Sequence, residues 1–434
     1  MNNQKSNPLN PNIAGLSESA TLAINGMVRL KRMRGEHVFN LGLGQSPFPV
    51  PEPVVNALRN YAPEKDYLPV QGLQALREAI ADFHSKKDQV SFAPENVIVG
   101  PGSKELLFLL QVVFSGEILL PSPCWVSYIP QAKIIGRKVS LIQTRYEDKW
   151  RITPEMFEQV CRQRVDNDAL SLLILNYPGN PDGMTYTREE LKKLAKVARN
   201  NNVLILSDEI YGPLNHHGKH LSIARYYPEG TIVSSGLSKW CGAGGWRLGT
   251  FSFPTGLEWL KDAMCVVASE TFTSVSAPVQ YAAIQAFKGG PVIERYLAHS
   301  RRILAQLGEQ SAKILNEAGL KVYKPEGGFY HFVDFVPIRK SLEAKGVKGS
   351  EQLCSLLLSE INVAALPGAS FARPASELTV RMAYVDFDGA AALMESYKTS
   401  ISKPLAKDFC DDYCENVIVA MERIRDWLKS IKKK

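Results

Sequence analysis

Long apolar runs are missing from this 434-residue sequence. No window approaches the roughly 18 to 20 apolar residues that a membrane helix needs. The opening "MNNQKSNPLNPN" has no apolar core of a secretion signal. The expectation is a cytoplasmic protein with no membrane partner. Cysteine is scarce too: the seven present are an odd number at scattered spacings, which fits reduced thiols better than a disulfide framework. The one close pair, Cys410 and Cys414 in "CDDYC", has no second pair or nearby histidine to complete a zinc site, so it reads as ordinary helix cysteines. There is no internal repeat, no long low-complexity linker and no basic arm. The net charge of +7 is spread along the chain, and only the tail "KSIKKK" is dense. A solvated end accounts for that tail better than a nucleic-acid patch. With 45% apolar and 22% charged residues, the usage is that of an ordinary globular protein, neither disordered nor fibrous. A chain of this length outgrows a single core, so two domains are expected.

From about residue 53 to 295, short β-rich runs alternate with helical patterns: "NVIVG", "EILLP", "LSLLILN", "NVLILSD", "TIVSSG" and "RLGTFSF". Runs that are apolar on both faces predict strands covered on both sides, and hence a mostly parallel α/β sheet. Between two of them, Thr187 and Glu190 have capping-box spacing, and Leu191, Leu194, Ala195 and Ala198 follow on one helical face. Residues 296 to 434 change character, with long helical patterns and a candidate strand in "GGFYHFVDF", as in a smaller α+β domain. Residues 1 to 52 read as an arm, with a helical run from Ser19 to Arg34. The sequence does not decide whether this arm packs on its own chain or on a partner.

Ligands of such a sheet bind beyond the carboxyl ends of the strands, and the unusual residues sit there. "GPGSKE", "PSPCW", "NYPGNPDG", "SDEIYG" and "GLSKW" each follow an apolar run. In "SSGLSKWCGAGGWRLG", Lys239 lies among small and apolar residues. These weaken solvation of its charged form, lower its pKa and free its amine to condense with an aldehyde. Arg247 in the same stretch suits a phosphate. "GPGSKE" is a glycine-rich turn opening a helix, where backbone N–H groups favour an anion. An aldehyde-reactive lysine and a phosphate cup together point to pyridoxal phosphate. That cofactor needs a carboxylate to keep its ring nitrogen protonated, and Asp208 ends its strand 31 residues before Lys239. Tyr211 stands three residues further on, placed to hydrogen-bond the ring oxygen.

These stretches resemble class I pyridoxal-phosphate-dependent aminotransferases of fold type I, the aspartate aminotransferase-like group. The resemblance runs from about Ser17 to the C-terminal helix. It implies a large cofactor-binding domain at 53–295, a small domain at 296–434 joined by the 1–52 arm, and a homodimer with shared sites. By position it implies Lys239 as the covalent anchor and proton shuttle, Asp208 at the ring nitrogen, and Tyr211 and Asn180 at the ring oxygen. It further implies Trp125 stacked on the ring and a phosphate cup of Gly102, Ser103, Lys104, Ser238 and Arg247. Tyr67 resembles the tyrosine that reaches the neighbouring subunit's phosphate. Arg381 and Gly44 would meet the substrate α-carboxylate, with Trp125 and Asn180 beside them. The implied reaction moves an amino group between an L-amino acid and a 2-oxo acid by a ping-pong mechanism, with aspartate-type or aromatic substrates.

Two residues depart from the family pattern. Gly236 occupies a position where serine is common, and Asp182 replaces the threonine of N-P-T-G, which places it near the rim of the site. The rivals are a carbon-sulfur β-lyase or cyclopropane-forming synthase on the same scaffold, and a non-catalytic binding or regulatory protein that retains the fold. For a distal substrate carboxylate, Arg29, Lys31, Arg32, Lys133 and Arg137 are candidate cations; for an aromatic side chain, Phe329, Tyr330 and Trp125 are candidates. "GPGSKE" lacks the third glycine of a dinucleotide fingerprint and the ending of a P-loop. His216, His217 and His220 in "NHHGKH" lack helical metal-pair spacing and read as a polar loop, so no metal is expected.

Overall fold

The computed structural model describes residues 9–164 and 169–432. In chain order its strands are β1 (Phe39–Asn40), β2 (Val97–Gly100), β3 (Ile118–Ser122), β4 (Val139–Gln143), β5 (Ser171–Asn176), β6 (Val203–Asp208), β7 (Thr231–Gly236), β8 (Gly249–Ser252), β9 (Tyr330–Asp334), β10 (Val363–Ala364), β11 (Leu366–Pro367) and β12 (Thr379–Ala383). Seven of them form the main sheet, in the order β2-β8-β7-β6-β5-β3-β4. Strands β7, β6, β5, β3 and β4 pair in parallel, whereas β8 runs antiparallel to both β2 and β7.

The apolar runs are strands because both of their faces are covered. In β6, Leu204 and Leu206 join the core on one side of the sheet, while Val203 and Ile205 join the core on the other. In β5, Leu172 and Ile174 face the first side and Leu173 and Leu175 the second. Alternation with period two therefore carries each strand through two cores. Each such side chain is worth about 1.5 to 3 kcal/mol on burial. The helix Arg188–Asn200 covers the second side with Leu191, Leu194, Ala195 and Ala198, and its capping box is formed: Glu190 N–H donates to Thr187 Oγ1 at 3.3 Å and Thr187 N–H to Glu190 Oε2 at 2.7 Å. Such a cap is worth about 1 kcal/mol.

The second assembly is a three-stranded antiparallel sheet, β11-β12-β9, packed with long helices. Pro291–Glu317 is one unbroken helix across position 295, and Glu415–Lys432 packs on it. In the arm, the helix Ala20–Met33 fills the expected helical run. Phe39 and Asn40 pair in parallel with Val363 and Ala364, so this part of the arm packs on its own chain. No helix among the described residues is long and apolar enough to cross a membrane.

Direction matters most at β8. Because it runs backwards, its first residue lies at the edge where β2 and β7 end. Gly249 pairs with Gly100 on one side and with Gly236 on the other. The segment just before β8, which carries Arg247, is thereby delivered to the carboxyl edge of the sheet.

Candidate active site

A cavity of about 570 Å³ opens at that edge. Strand ends supply its floor: Asn176 from β5, Asp208 from β6, and Ser238 and Lys239 just beyond β7. Ser103 and Lys104 come from the first turn of the helix Ser103–Val113, Trp125 from the segment after β3, and Arg247 from the approach to β8. Gly44, Tyr330 and Arg381 close the cavity from the arm and the small sheet. Asn180 and Tyr211 complete the set of expected residues that line it.

Lys239 Nζ donates to the Gly44 carbonyl at 2.8 Å and lies 5.7 Å from the centre of the Tyr211 ring. Burial, reinforced by the positive charges of Arg381 and Arg247 and opposed by Asp208, lowers its pKa to about 8. Asp208 is buried, and its Oδ2 accepts from Tyr128 Oη at 2.6 Å while Oδ1 accepts from Ser234 Oγ at 3.3 Å. Burial raises its pKa, and these bonds with the Lys239 charge offset the shift only in part. Tyr211 Oη shares a hydrogen bond with Tyr330 Oη at 2.7 Å. Burial and Tyr330 push the Tyr211 pKa well up, so it remains a neutral phenol.

At the opposite end, Arg247 has φ +54° and donates from Nη1 to the Gly244 carbonyl at 2.8 Å. Gly102 caps the helix Ser103–Val113 with φ +92°, and a Cβ there would collide with the Arg247 guanidinium. Only glycine lets the helix N-terminus and that arginine close on one spot. Lys104 Nζ lies 5.2 Å from the centre of the Trp125 ring, and burial plus the Arg247 charge lower its pKa.

Arg381 is 2% exposed, on β12, with Tyr330 and Phe371 ring centres 4.9 and 5.4 Å from its guanidinium carbon. It donates to the Gly42 carbonyl, its Nε has no partner, and no carboxylate pairs with it among the described residues. Asn180, also buried, has an Oδ1 with no partner. Buried polar groups are nearly always satisfied, so two unpaired ones on a single cavity mark where a ligand's groups belong.

Other expectations land elsewhere. Tyr67 is 90% exposed and does not line this cavity. Gly236 has no room for a side chain, since a Cβ would meet the Leu248 carbonyl oxygen at 2.7 Å. Asp182 does not reach the rim; it lines a separate small cavity behind Asn180. None of Arg29, Lys31, Arg32, Lys133 and Arg137 lines the cavity; Lys31 pairs with Glu36, and Arg137 binds the carbonyls of Gln111 and Val112. Phe329 belongs to the core. The three loop histidines do not converge: His216 contacts the carbonyls of Pro325 and Gly328, His217 is exposed, and His220 pairs with Glu209 at 2.8 Å. Asp88, Glu209 and His220 do place ligand-type atoms within 4.8 Å of one another. Sequence reasoning missed Asn176, Tyr128, Ser234 and, from the arm, Ser19 and Thr21. Asn176 was findable, because it is the last residue of its strand.

Residues 36–393 match the family described as aminotransferase class I and II. An aspartate aminotransferase of Bacillus sp. (strain YM-2) is 35% identical over 380 residues, covering 85% of this chain and 92% of that protein. An asparagine–oxo-acid transaminase of Streptococcus mutans is 30% identical over 387 residues, covering 87% and 94%. Among solved structures, the aspartate aminotransferase from Thermus thermophilus with maleate superposes with a TM-score of 0.81 at 28% identity, covering 97% of this chain and 99% of that one. A lysine with a lowered pKa, a buried carboxylate and an unpaired buried arginine on one cavity are thus set in a chain that belongs to the class I and II aminotransferases.

Proposed function

We propose that this enzyme uses pyridoxal 5'-phosphate and exchanges the amino group of a dicarboxylic L-amino acid, L-aspartate foremost, with a 2-oxo acid. The observation that carries the reading is Arg381, a buried cation without an anion partner among the described residues, facing the same cavity as Lys239. The site fits the cofactor: the Gly102 cradle and the N-terminus of the helix Ser103–Val113 stand beside Arg247 for the phosphate. Two carboxylate oxygens offer about four acceptor sites, so Asp208 can take a ring N–H in addition to Tyr128 and Ser234. A cationic ring nitrogen there would offset the burial that now raises its pKa. Asn180 and the neutral Tyr211 would hydrogen-bond the ring oxygen, and Trp125 would cover a ring face.

When bound, the cofactor supplies the aldehyde and the electron-withdrawing ring that make the substrate α-proton acidic. Lys239 Nζ, with a pKa near 8, would take that proton from the substrate Cα and deliver it to the carbon that carried the cofactor's aldehyde, the shift that amino transfer requires. Arg381 orients the α-carboxylate by a paired N–H contact. Four cationic residues line the cavity among the described residues: Lys104, Lys239, Arg247 and Arg381. The resemblance sets Lys104 in the phosphate cup; with Arg247 and the helix N-terminus there already, we assign Lys104 instead to a distal substrate carboxylate, with Ser19 and Thr21 from the arm on the same cavity. Several relatives bear the name aspartate aminotransferase, which supports the acidic substrate. We infer a cytoplasmic homodimer in which the exposed Tyr67 completes the partner's phosphate site, and a division of the chain near residues 52 and 295.

The test follows the visible absorption of the cofactor-loaded enzyme as amino acids are added. L-aspartate should discharge the band in a half-reaction without any 2-oxo acid, and Lys104→Met should raise KM for aspartate by about tenfold or more while leaving that for L-alanine within about threefold. Equal effects on both amino acids would remove Lys104 from substrate reading; release of pyruvate and ammonia without an acceptor would favour the lyase.

A further inference from the structure

The turn that carries Asn180 is closed by an acid. Gly179 N–H donates to the Met184 carbonyl and Gly183 N–H to the Gly179 carbonyl, both at 2.9 Å, while Asn180 N–H donates to Asn176 Oδ1 at 2.8 Å. Inside this ring of bonds, Asp182 Oδ1 accepts from Met184 N–H at 2.8 Å. Both Asp182 oxygens lie against Gly179, where no side chain would fit. The next residue is held by a second acid, with Thr185 N–H donating to Glu326 Oε2 at 3.0 Å.

Asp182 and Asn180 share a cavity of about 20 Å³ behind the catalytic one, together with Asn176 and Tyr128. That volume admits a water-sized group and no substrate. Asn180 and Asn176 line both cavities, and of the two it is Asn180 that is assigned to the cofactor's ring oxygen, so Asn180 stands between that place and the cavity of Asp182. The groups facing Asp182 are Arg151, held by Glu190 at 2.9 Å; Glu326, held by Lys149 at 3.2 Å; Tyr186; and, across the small cavity, Tyr128 and Cys124. Burial raises the Asp182 pKa to about 7, with Glu326 adding to the shift and the turn's N–H groups and Arg151 opposing it.

We propose that Asp182 is a positioning residue whose carboxylate latches the Gly179–Met184 turn and whose charge is relayed through Asn180 to the catalytic cavity. This rests on the cofactor reading above. The charged carboxylate holds the turn by a charge-assisted bond and sets a negative charge behind the Asn180 amide. The neutral acid keeps only an uncharged, weaker bond to Met184 N–H and sets no charge behind the amide. Activity should thus gain from ionisation of Asp182 while stability loses by it.

The sign of the stability effect follows from linkage. An acid whose folded pKa exceeds its unfolded value costs stability increasingly as pH rises from the unfolded value through the folded one. In Asp182→Asn, which keeps an acceptor for Met184 N–H but cannot ionise, Tm relative to wild type should rise by a few degrees between pH 5 and pH 8. The wild-type to variant ratio of kcat should rise about threefold or more between pH 6 and pH 8, and the pH titration of the bound cofactor's visible band should shift. Asp182→Thr should follow the same two trends. A pH-independent kcat ratio with superimposable band titrations would overturn the relay. Asp182→Ala, which leaves Met184 N–H without its acceptor, should lower Tm by several degrees at pH 5, and an unchanged Tm there would overturn the latch. If no Lys239-dependent band forms at all, the cofactor reading fails, and with it the relay, while the Tm comparison still decides the latch.

Discussion

Asp208 and Glu209 are neighbours in sequence at the end of β6, and their surroundings differ in kind. Asp208 belongs to the cavity, where it keeps acceptor capacity in hand and burial raises its pKa. Glu209 sits in a network on the other side. Its Oε1 accepts from Ser207 Oγ at 2.7 Å and Ser222 Oγ at 2.6 Å, and its Oε2 meets His220 Nε2 at 2.8 Å. Burial alone would raise the Glu209 pKa, but the His220 charge and these bonds outweigh it and hold the carboxyl below its ordinary value. One carboxylate is left ready for a partner that arrives; the other has all of its partners built in. A side chain's unmet bonding, more than its burial or charge, separates reactive groups from architectural ones here.

That contrast can be broken from either side. Lys239→Ala should carry the largest effect, a fall in kcat of about 10⁴-fold or more, with Tm unchanged or raised because a partly desolvated charge is gone. A variant retaining turnover would remove Lys239 from the chemistry. Next in size, Glu209→Ala should destabilise the fold by about 3 to 5 kcal/mol, since it strands His220 and two hydroxyls without their acceptor; chemical unfolding measures this, and a loss below about 1 kcal/mol would show that the network is replaceable. Smallest, Arg381→Leu should cut kcat/KM for aspartate by about 10²-fold, close to the cost of removing one partner of a desolvated charge pair. Its stability should hold or improve, because an unpaired buried cation is replaced by an apolar side chain. A destabilised Arg381→Leu would place that arginine among the architectural groups.

Much of the frame was legible in the sequence because local rules and packing agree there. The helix after Thr187 and the buried strands β5 and β6 follow from periodicity, which both cores reinforce. Lys239, Asp208 and Arg247 were findable because they respectively follow, end and precede a strand at the sheet's carboxyl edge. The reversal of β8 was not legible, since "RLGTFSF" has the same apolar character in either direction. Nor were the partners of Asp208: Tyr128 and Ser234 lie 80 and 26 residues away and meet it only through the sheet. The distal cation was sought among residues that lie off the cavity, and Lys31, Arg32, Lys133 and Arg137 are already held by neighbours of their own; charge in a sequence reveals neither its place nor whether it is spent.

The row Gly100, Gly249 and Gly236 has a consequence for how such a chain can vary in length. A residue gained or lost between Gly236 and Gly249 would have to be absorbed by the loop itself or shift β8 by about 3.4 Å, turning its side chains to the opposite face. Lys239 and Arg247 both lie in that interval, anchored at each end by a paired glycine. Insertions should therefore be excluded there and tolerated at exposed turns such as Thr255–Gly256, which lies away from the cavity.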